Sequence, residues 1–596
     1  MQPFLGILGG ITAVSMLISL YLTVKKKFRK RVIRFAWLST FLQLVILILA
    51  LLVCAVAETA PEMSSTDSPQ ATEDPIQTEP LTTATIPQPE DPRLGFSPSA
   101  GENTDPSLFD IQWDICQGEE FLTDYFRENP IFFSLDENYF ALPGISTFRG
   151  SNYRDTASWG TLVTEEEAMT VAWRHKIGRL DRFGGCGWTG QPLVVQWDSQ
   201  TKAIMTQMYE SKREKEDLVE VIYATLDGYI HFYDLEDGTE TRDAIDMGMN
   251  FKGSGTLDPR GYPLLYVGAG QYTNGASPRI FVVNLITGKI IYQYGHNDSF
   301  AHRDWCAFDA APLVDGSSDT LIWPGENGVL YTFRLNTRYD PEAGTISVTP
   351  EEPVKTRYTS LYSEDGRYVG YESSPVIADH FLYNGENGGL LYCVDLNTME
   401  LIWAQDLGDE VDATPLFQWE ADGRGSLYAG SSLNRSAEDN KGSATIYKLD
   451  AENGEIIWEF TRKCELDDDI AGGILGSPIL GRENTDMEGL IVFAIGRTPS
   501  AYQGALVALD TETGEKIWEI STGNYTWSSP VAMYNENGDA YIFLANASGV
   551  CRFIDGSTGQ VLDTLELKET VEASPVAFGN MIVIGSRERI YGIRIS

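Results

Sequence analysis

Leu509–Ile520 reads LDTETGEKIWEI: an Asp, a Gly four positions on, and a Trp four positions after that. The apolar run ALVAL that leads into Asp510 predicts a strand. Asp510 opens a turn through its own side chain, and Gly514 takes the positive φ that closes it. EKIWEI is the returning strand, with Trp518 on one face. The unit is a hairpin, and an isolated hairpin leaves both faces unburied, so it needs neighbours.

Neighbours are written elsewhere in the chain. LDAENGEIIWEF holds Asp450, Gly454 and Trp458, and VDLNTMELIWAQ holds Asp395 and Trp403 with Met399 in the Gly slot. Asn284, Gly288 and Tyr292 make another copy. Asp555 and Gly559 are followed by Asp563 in the aromatic slot, and Asp234 and Gly238 by Arg242. Weaker copies centre on Arg334 and Arg594. Upstream of each hairpin stands a small residue, usually followed by Pro, then a short apolar run: GQPLVV, GSGTL, DAAPLV, ESSPVI, DATPLF, LGSPIL, WSSPVA and EASPVA. Each predicts an innermost strand. Units of four strands at roughly 40 to 60 residues are propeller blades. Eight starts predict an all-β, eight-bladed propeller of four-stranded antiparallel blades over residues 168–596. The last unit ends at Ser596 without its outermost strand, and TVAWRHKIG, with Trp173, supplies that strand from the other end of the domain. A shared last blade leaves the ring without an open seam.

The chain before the propeller differs in character. Residues 3–24 and 35–57 are uncharged or nearly so, and a spanning helix needs roughly 20 apolar residues. KKKFRKRVIR separates them, and basic loops stay cytoplasmic. Residues 1–57 are therefore expected to form a two-helix transmembrane hairpin with both ends outward. Ala55 and Ala57 also fit a signal-peptidase site, so cleavage after the second helix is the alternative. Both readings place the remainder on the extracytoplasmic side of the cell membrane. Residues 58–107 hold nine prolines and one aromatic, Phe96. They are expected to be a disordered stalk, since so little apolar surface cannot offset ordering entropy. Residues 108–167 are expected to pack on the propeller.

All 85 Asp and Glu follow Ala57, whereas seven of the 44 Lys and Arg sit in the basic loop. An exported part this acidic excludes nucleic acid as a partner. Six Cys follow Cys54 with no CxxC and no adjacent pair, so no zinc or haem signature is present. The five His lack metal-ligand spacing, and GxSxG, P-loop and HExxH motifs are missing. GENG at Gly325 and at Gly385 reads as a turn between strands.

The hairpins carried by Asp510, Gly514 and Trp518, by Asp450, Gly454 and Trp458, and in part by Asp395 and Trp403, resemble the quinoprotein, or PQQ-like, repeat. STFRGSNYRDTASWG, from Ser146, also resembles the segment that precedes the first blade in such propellers. The resemblance covers about residues 146–596. It implies that Trp173, Tyr292, Trp403, Trp458 and Trp518 pack between blades, while Asp395, Asp450, Gly454, Asp510, Gly514, Asp555 and Gly559 build turns. It is compatible with two functions. In the dehydrogenase branch it implies a quinone near a vicinal disulfide, with Ca²⁺ and an Asp base, and this chain has no adjacent Cys pair. The other branch consists of non-catalytic scaffolds.

The starts of the first strands converge on the channel mouth. Three residues before the landmark Pro stand Asp309, Glu372, Asp412, Glu572 and Trp527, with Trp188 and Trp305 close by. Acids and indoles around a channel suit a cation, a sugar or a basic peptide. The sequence is thus expected to encode a membrane-anchored, non-catalytic scaffold for an envelope protein or glycan, with no cofactor and no metal. The alternative is a PQQ- and calcium-dependent dehydrogenase of alcohols or sugars.

Overall fold

The computed structural model describes residues 91–596 apart from 136–137, 271–275, 364–367 and 468–469. The two expected membrane helices, the basic loop and residues 58–90 of the stalk lie outside the described residues. Among the described residues no helix is long and apolar enough to cross a membrane.

Eight sheets, antiparallel except where Ser158–Trp159 pairs parallel to the innermost strand of the last, follow one another along the chain, and we number the blades in that order. Their innermost strands are Leu193–Val195, Thr256–Leu257, Leu313–Asp315, Val376–Ala378, Leu416–Trp419, Ile479–Leu480, Val531–Tyr534 and Val576–Phe578. All eight lie at the landmark positions. Blade 8 is completed by Met169–Lys176, which pairs with Arg589–Ile595 in a register that sets Trp173 opposite Gly592. This two-ended blade closes the ring.

The Asp-Gly-Trp spacing is explained by the interface between blades. Asp510 Oδ1 accepts from the backbone N–H of Glu512 and Thr513, and Gly514 closes the turn at φ +69°. A Cβ on Gly514 would stand 2.7 Å from Trp458 Cδ2, because the indole of blade 5 lies flat on the turn of blade 6. Gly454 covers Trp403, Gly559 covers Trp518 and Gly238 covers Trp173 in the same way. Each indole N–H then donates to the carbonyl one residue beyond the turn Asp: Trp173 to Leu235 (2.8 Å), Trp403 to Ala451 (3.2 Å), Trp458 to Thr511 (3.0 Å) and Trp518 to Gly556 (3.2 Å). Asp and Gly therefore shape the surface that the preceding blade's Trp lies on. Burying one such ring contributes roughly 2–3 kcal/mol, and its N–H is not left unpaired.

Interfaces without Trp reach the same carbonyl by other means. Arg242 donates from Nη1 to Leu285 O at 2.8 Å, with its charge held by buried Glu220. At the blade 3–4 interface Arg127 donates from Nε to Leu396 O at 3.1 Å, and Trp113 donates to Met399 O. Both come from the lead-in segment, whose strands Gln112–Gln117 and Glu120–Leu122 extend blade 3 to six strands. Met399 takes φ +60° in the Gly slot. Tyr292 lies half-buried, edge-on to Phe333 of blade 3 at 6.2 Å. Asp563 accepts from Met169 N–H of blade 8 at 2.7 Å.

Around the channel the small landmark residues link blade to blade. Gln191 N–H donates to Ser254 Oγ, Ala311 to Ser374, Ser374 to Thr414, Ser477 to Ser529 and Ser529 to Ser574, all at 2.7–3.1 Å. The tract Ser146–Ala157 then threads across the channel. Ser146 O accepts from Leu257 N–H of blade 2, Asn152 O from Ile377 of blade 4, Tyr153 O from Phe417 of blade 5 and Ala157 O from Ala577 of blade 8. Arg149 and Arg154, both buried, point their guanidinium groups at carbonyls. Arg149 donates to Pro478 and Pro530, and Arg154 to Ala311, Phe148 and Pro375. The landmark carbonyls that face the axis are thus satisfied by a plug, as buried carbonyls must be.

One boundary shifts. The stalk, expected to reach Ser107, is already docked from Asp91. Phe96 is buried against Phe381, Phe417 and Trp419, and Thr104 donates to Asn453 O while accepting through its carbonyl from Ala404 N–H. One aromatic and a few backbone bonds to blades 4 and 5 are enough to order a Pro-rich segment.

Candidate functional site

Three of the acids named from the sequence, Asp309, Glu372 and Asp412, converge with Leu475, Ser374, Thr414 and Ser477 on a cup at the channel mouth. Phe148 of the plug lines it as well, so the channel ends there. The cup encloses about 30 Å³. That admits one water or one ammonium group.

The wall is crowded with carboxyls. Asp309 pairs with Lys252 Nζ at 2.8 Å, and Glu326 lies 3.9 Å from the same ammonium. Trp305 Nε1 donates to Glu326 Oε2. Asn387 reaches Glu372 at 3.4 Å, and Asn434 donates to Glu410 at 2.7 Å. Burial, with like charge adding to it, pushes Glu326, Glu372, Glu410 and Asp412 above the ordinary carboxylate range. Glu372 still reaches solvent through the mouth, while protein surrounds its other sides. Lys252 is held charged by Asp309, Glu326 and Glu372 against the cost of its own burial. Glu386, in the second GENG turn, is a different case. It accepts from Gly388 and Leu390 N–H and from Tyr358 O–H, which makes it a structural carboxyl.

The indoles lie on the other side of the mouth. Trp188, about one-third exposed, stacks with Trp527 at 6.2 Å. Arg587 lies over Trp188 at 4.7 Å, and Lys252 lies 5.5 Å from Trp188 and 6.0 Å from Trp305. Glu572 is not in the cup: it pairs with Arg587 and accepts from Tyr525. The mouth therefore has a carboxyl half on blades 3 to 5 and an indole half on blades 7, 8 and 1, with Lys252 between them.

Sequence reasoning missed Lys252, Glu326 and Glu410. Lys252 immediately precedes the degenerate landmark GSGTL, so its place at the mouth was available from alignment of the blades. Glu326 sits in a motif read as a turn; it is one, but its side chain points to the mouth.

The quinone implied by the dehydrogenase branch does not fit this cup. Ligand pockets for molecules of that size run to several hundred Å³, about ten times this cup. All six described Cys are free and buried, and no cluster of three metal-ligating side chains exists among the described residues.

A family model described as outer membrane protein assembly factor BamB matches residues 363–594, which hold blades 4 to 7 and the C-terminal strands of blade 8. Polyvinylalcohol dehydrogenase of Sphingopyxis sp. (strain 113P3) is 29% identical over 150 residues, covering 24% of this chain and 21% of that protein. The dehydrogenase subunit of the quinone alcohol dehydrogenase of Komagataeibacter europaeus is 22% identical over 156 residues, covering 26% and 20%. The chain thus aligns with about a fifth of each of these relatives. Among solved structures, quinohemoprotein alcohol dehydrogenase ADHIIG of Pseudomonas putida HK5 is similar at TM-score 0.49 and 12% identity, covering 76% of this chain and 80% of its own. Residues 363–594 thus match a family model whose repeat the hairpins read from the sequence also resemble.

Proposed function

We propose that the chain is a membrane-anchored extracytoplasmic scaffold that holds a basic segment of an envelope protein at the channel mouth. The observation that carries this reading is the plugged cup walled by Asp309, Glu372 and Asp412, which has room for an ammonium tip. The indole half beside it, Trp188 and Trp527, suits the apolar stem of the same side chain. The matching family model, described as an assembly factor, supports a protein partner. The uncharged runs at residues 3–24 and 35–57, with the basic loop between them, support the anchor and the outward orientation.

A photo-crosslinking residue at position 188 tests the mouth in cells, with position 457 on an outer strand as control. Adducts to an envelope protein are expected at 188 and not at 457, and the double variant Glu372→Gln/Asp412→Asn is expected to lower them about tenfold. No adduct at 188, or one indifferent to the double variant, overturns the reading. The names of the curated relatives favour a second reading, a quinone-dependent dehydrogenase. Dye reduction with alcohols above background after loading with pyrroloquinoline quinone and Ca²⁺ would replace the first reading by the second.

A further inference from the structure

A second pocket, of about 380 Å³, opens away from the mouth, between blades 5, 6 and 7. It is lined by Trp419, Tyr534, Arg149, Arg482, Asp155 and Gln418 among others. In a chain of formal net charge −41 it presents two guanidinium groups that form no direct ion pair among the described residues, although Asp155 lies near enough to feel both and Glu483 also lines the pocket. Arg482 is exposed, lies over the Tyr534 ring at 4.5 Å, and makes no side-chain hydrogen bond or ion pair among the described residues. Arg149 is 1% exposed; its two terminal nitrogens are bound to the Pro478 and Pro530 carbonyls, but its Nε has no partner. A buried donor without an acceptor is costly, and a ligand acceptor placed there removes that cost.

The remaining lining is specific too. Gln418 Oε1 accepts from Tyr428, which leaves its amide N–H groups free to donate. Asp155 accepts from Ser151 Oγ at 2.5 Å through one oxygen, and burial raises its carboxyl above the ordinary range. Trp419 is half-buried and held in place by Nε1 donating to Tyr153 Oη and by edge contacts with Phe96 and Phe417. The pocket thus combines the exposed Arg482 guanidinium, the one unpaired nitrogen of Arg149, a fixed aromatic wall, and an amide and a carboxyl able to serve hydroxyl groups.

We propose that this pocket binds an acidic saccharide: a sugar ring lying on Trp419, its carboxylate on Arg482 and Arg149 Nε, and its hydroxyls on Gln418 and Asp155. Bidentate guanidinium–carboxylate pairing gives the acid preference, and the aromatic wall gives the ring preference. The site shares no residue with the cup, so its fate is independent of the scaffold reading.

Titration calorimetry of the full-length chain tests it with D-glucuronate, D-galacturonate and N-acetylmuramic acid, against D-glucose and acetate. Saturable binding of at least one acidic sugar is expected, with glucose and acetate each at least about tenfold weaker, a difference of about 1.4 kcal/mol. Arg482→Gln is expected to weaken that binding about tenfold without changing the melting temperature, and Gln418→Ala is expected to weaken it severalfold. The proposal is overturned if none of the three acids saturates below about 10 mM, as a ligand worth less than about 3 kcal/mol would behave. Equal binding of glucose, equal binding of acetate, or indifference to both variants overturns it as well.

Discussion

The mouth of the channel and the plug beneath it place charge around the same axis in opposite ways. At the plug, Arg149 and Arg154 are buried cations whose terminal nitrogens are spent on backbone carbonyls. At the mouth, Asp309, Glu372 and Asp412 line an open cup with Lys252 as the cation beside them. The plug charges complete hydrogen bonds that eight converging strands leave open, so their role is to hold the fold. The mouth carboxyls repel one another and are lifted toward the neutral form, a state that folding alone does not favour. Strain of that kind concentrates at functional sites.

The largest effect should come from breaking the plug. Arg154→Met removes donors to the carbonyls of Ala311, Phe148 and Pro375 and to Thr147 Oγ1, leaving buried acceptors unpaired. A loss of about 4 kcal/mol or more is expected in denaturant unfolding, at 1–3 kcal/mol per stranded group. A loss under about 1 kcal/mol would make the plug a passenger. The blade wall that both ends share comes next. Gly514→Ala combines a positive φ with a Cβ driven into Trp458, and should cost about 3 kcal/mol. Gly489→Ala, at φ +80° with nothing within 4 Å, should cost only the conformational part, about 1 kcal/mol. Equal losses at the two sites would remove the indole contact from the account.

The mouth should respond to pH in a direction the plug does not. Its carboxyls are raised in the folded state, so between the ordinary carboxylate range and neutrality the native chain holds more protons than the unfolded one. Stability should therefore fall as pH rises from about 5 to 8. Glu372→Gln/Asp412→Asn should flatten that slope, as measured by the melting temperature at each pH. A slope unchanged in the double variant would mean that these two carboxyls do not carry it. The smallest effect is expected at Arg482→Gln, within about 0.5 kcal/mol of the parent, because the side chain is exposed and makes no hydrogen bond or direct ion pair, only a contact with the Tyr534 ring.

Local chemistry was readable where one residue does one local job. Asp510 caps a turn with its own side chain and Gly514 supplies a positive φ, so that hairpin is visible in twelve letters. Trp173 was legible as the missing strand of blade 8 because the repeat shows what is lacking. Three of the four acids named from their offset to the landmark Pro, Asp309, Glu372 and Asp412, reach the cup, whereas Glu572 at the same offset turns to Arg587. Arg242 and Arg127 were not legible as blade fasteners. Arg242, in an aromatic slot, looks like decay of the motif, and Arg127 lies outside the repeat altogether, until the carbonyl of the next blade is seen within hydrogen-bond reach. The dock of Phe96 was hidden for the same reason, because its partners, Phe381, Phe417 and Trp419, stand some 300 residues away.

The sequence by itself determined the repeat, the number of blades and the closure by the two ends of the propeller, because each follows from a period and a short-range turn code. Only the tertiary structure decided which ends of side chains meet across the ring. It turned Arg149 and Arg154 into a plug, joined Lys252 and Glu326 to the cup, and left Arg482 unpaired beside Trp419. Charges on different blades become neighbours only when the ring closes, and burial then sets their energies in a way that no local spacing encodes.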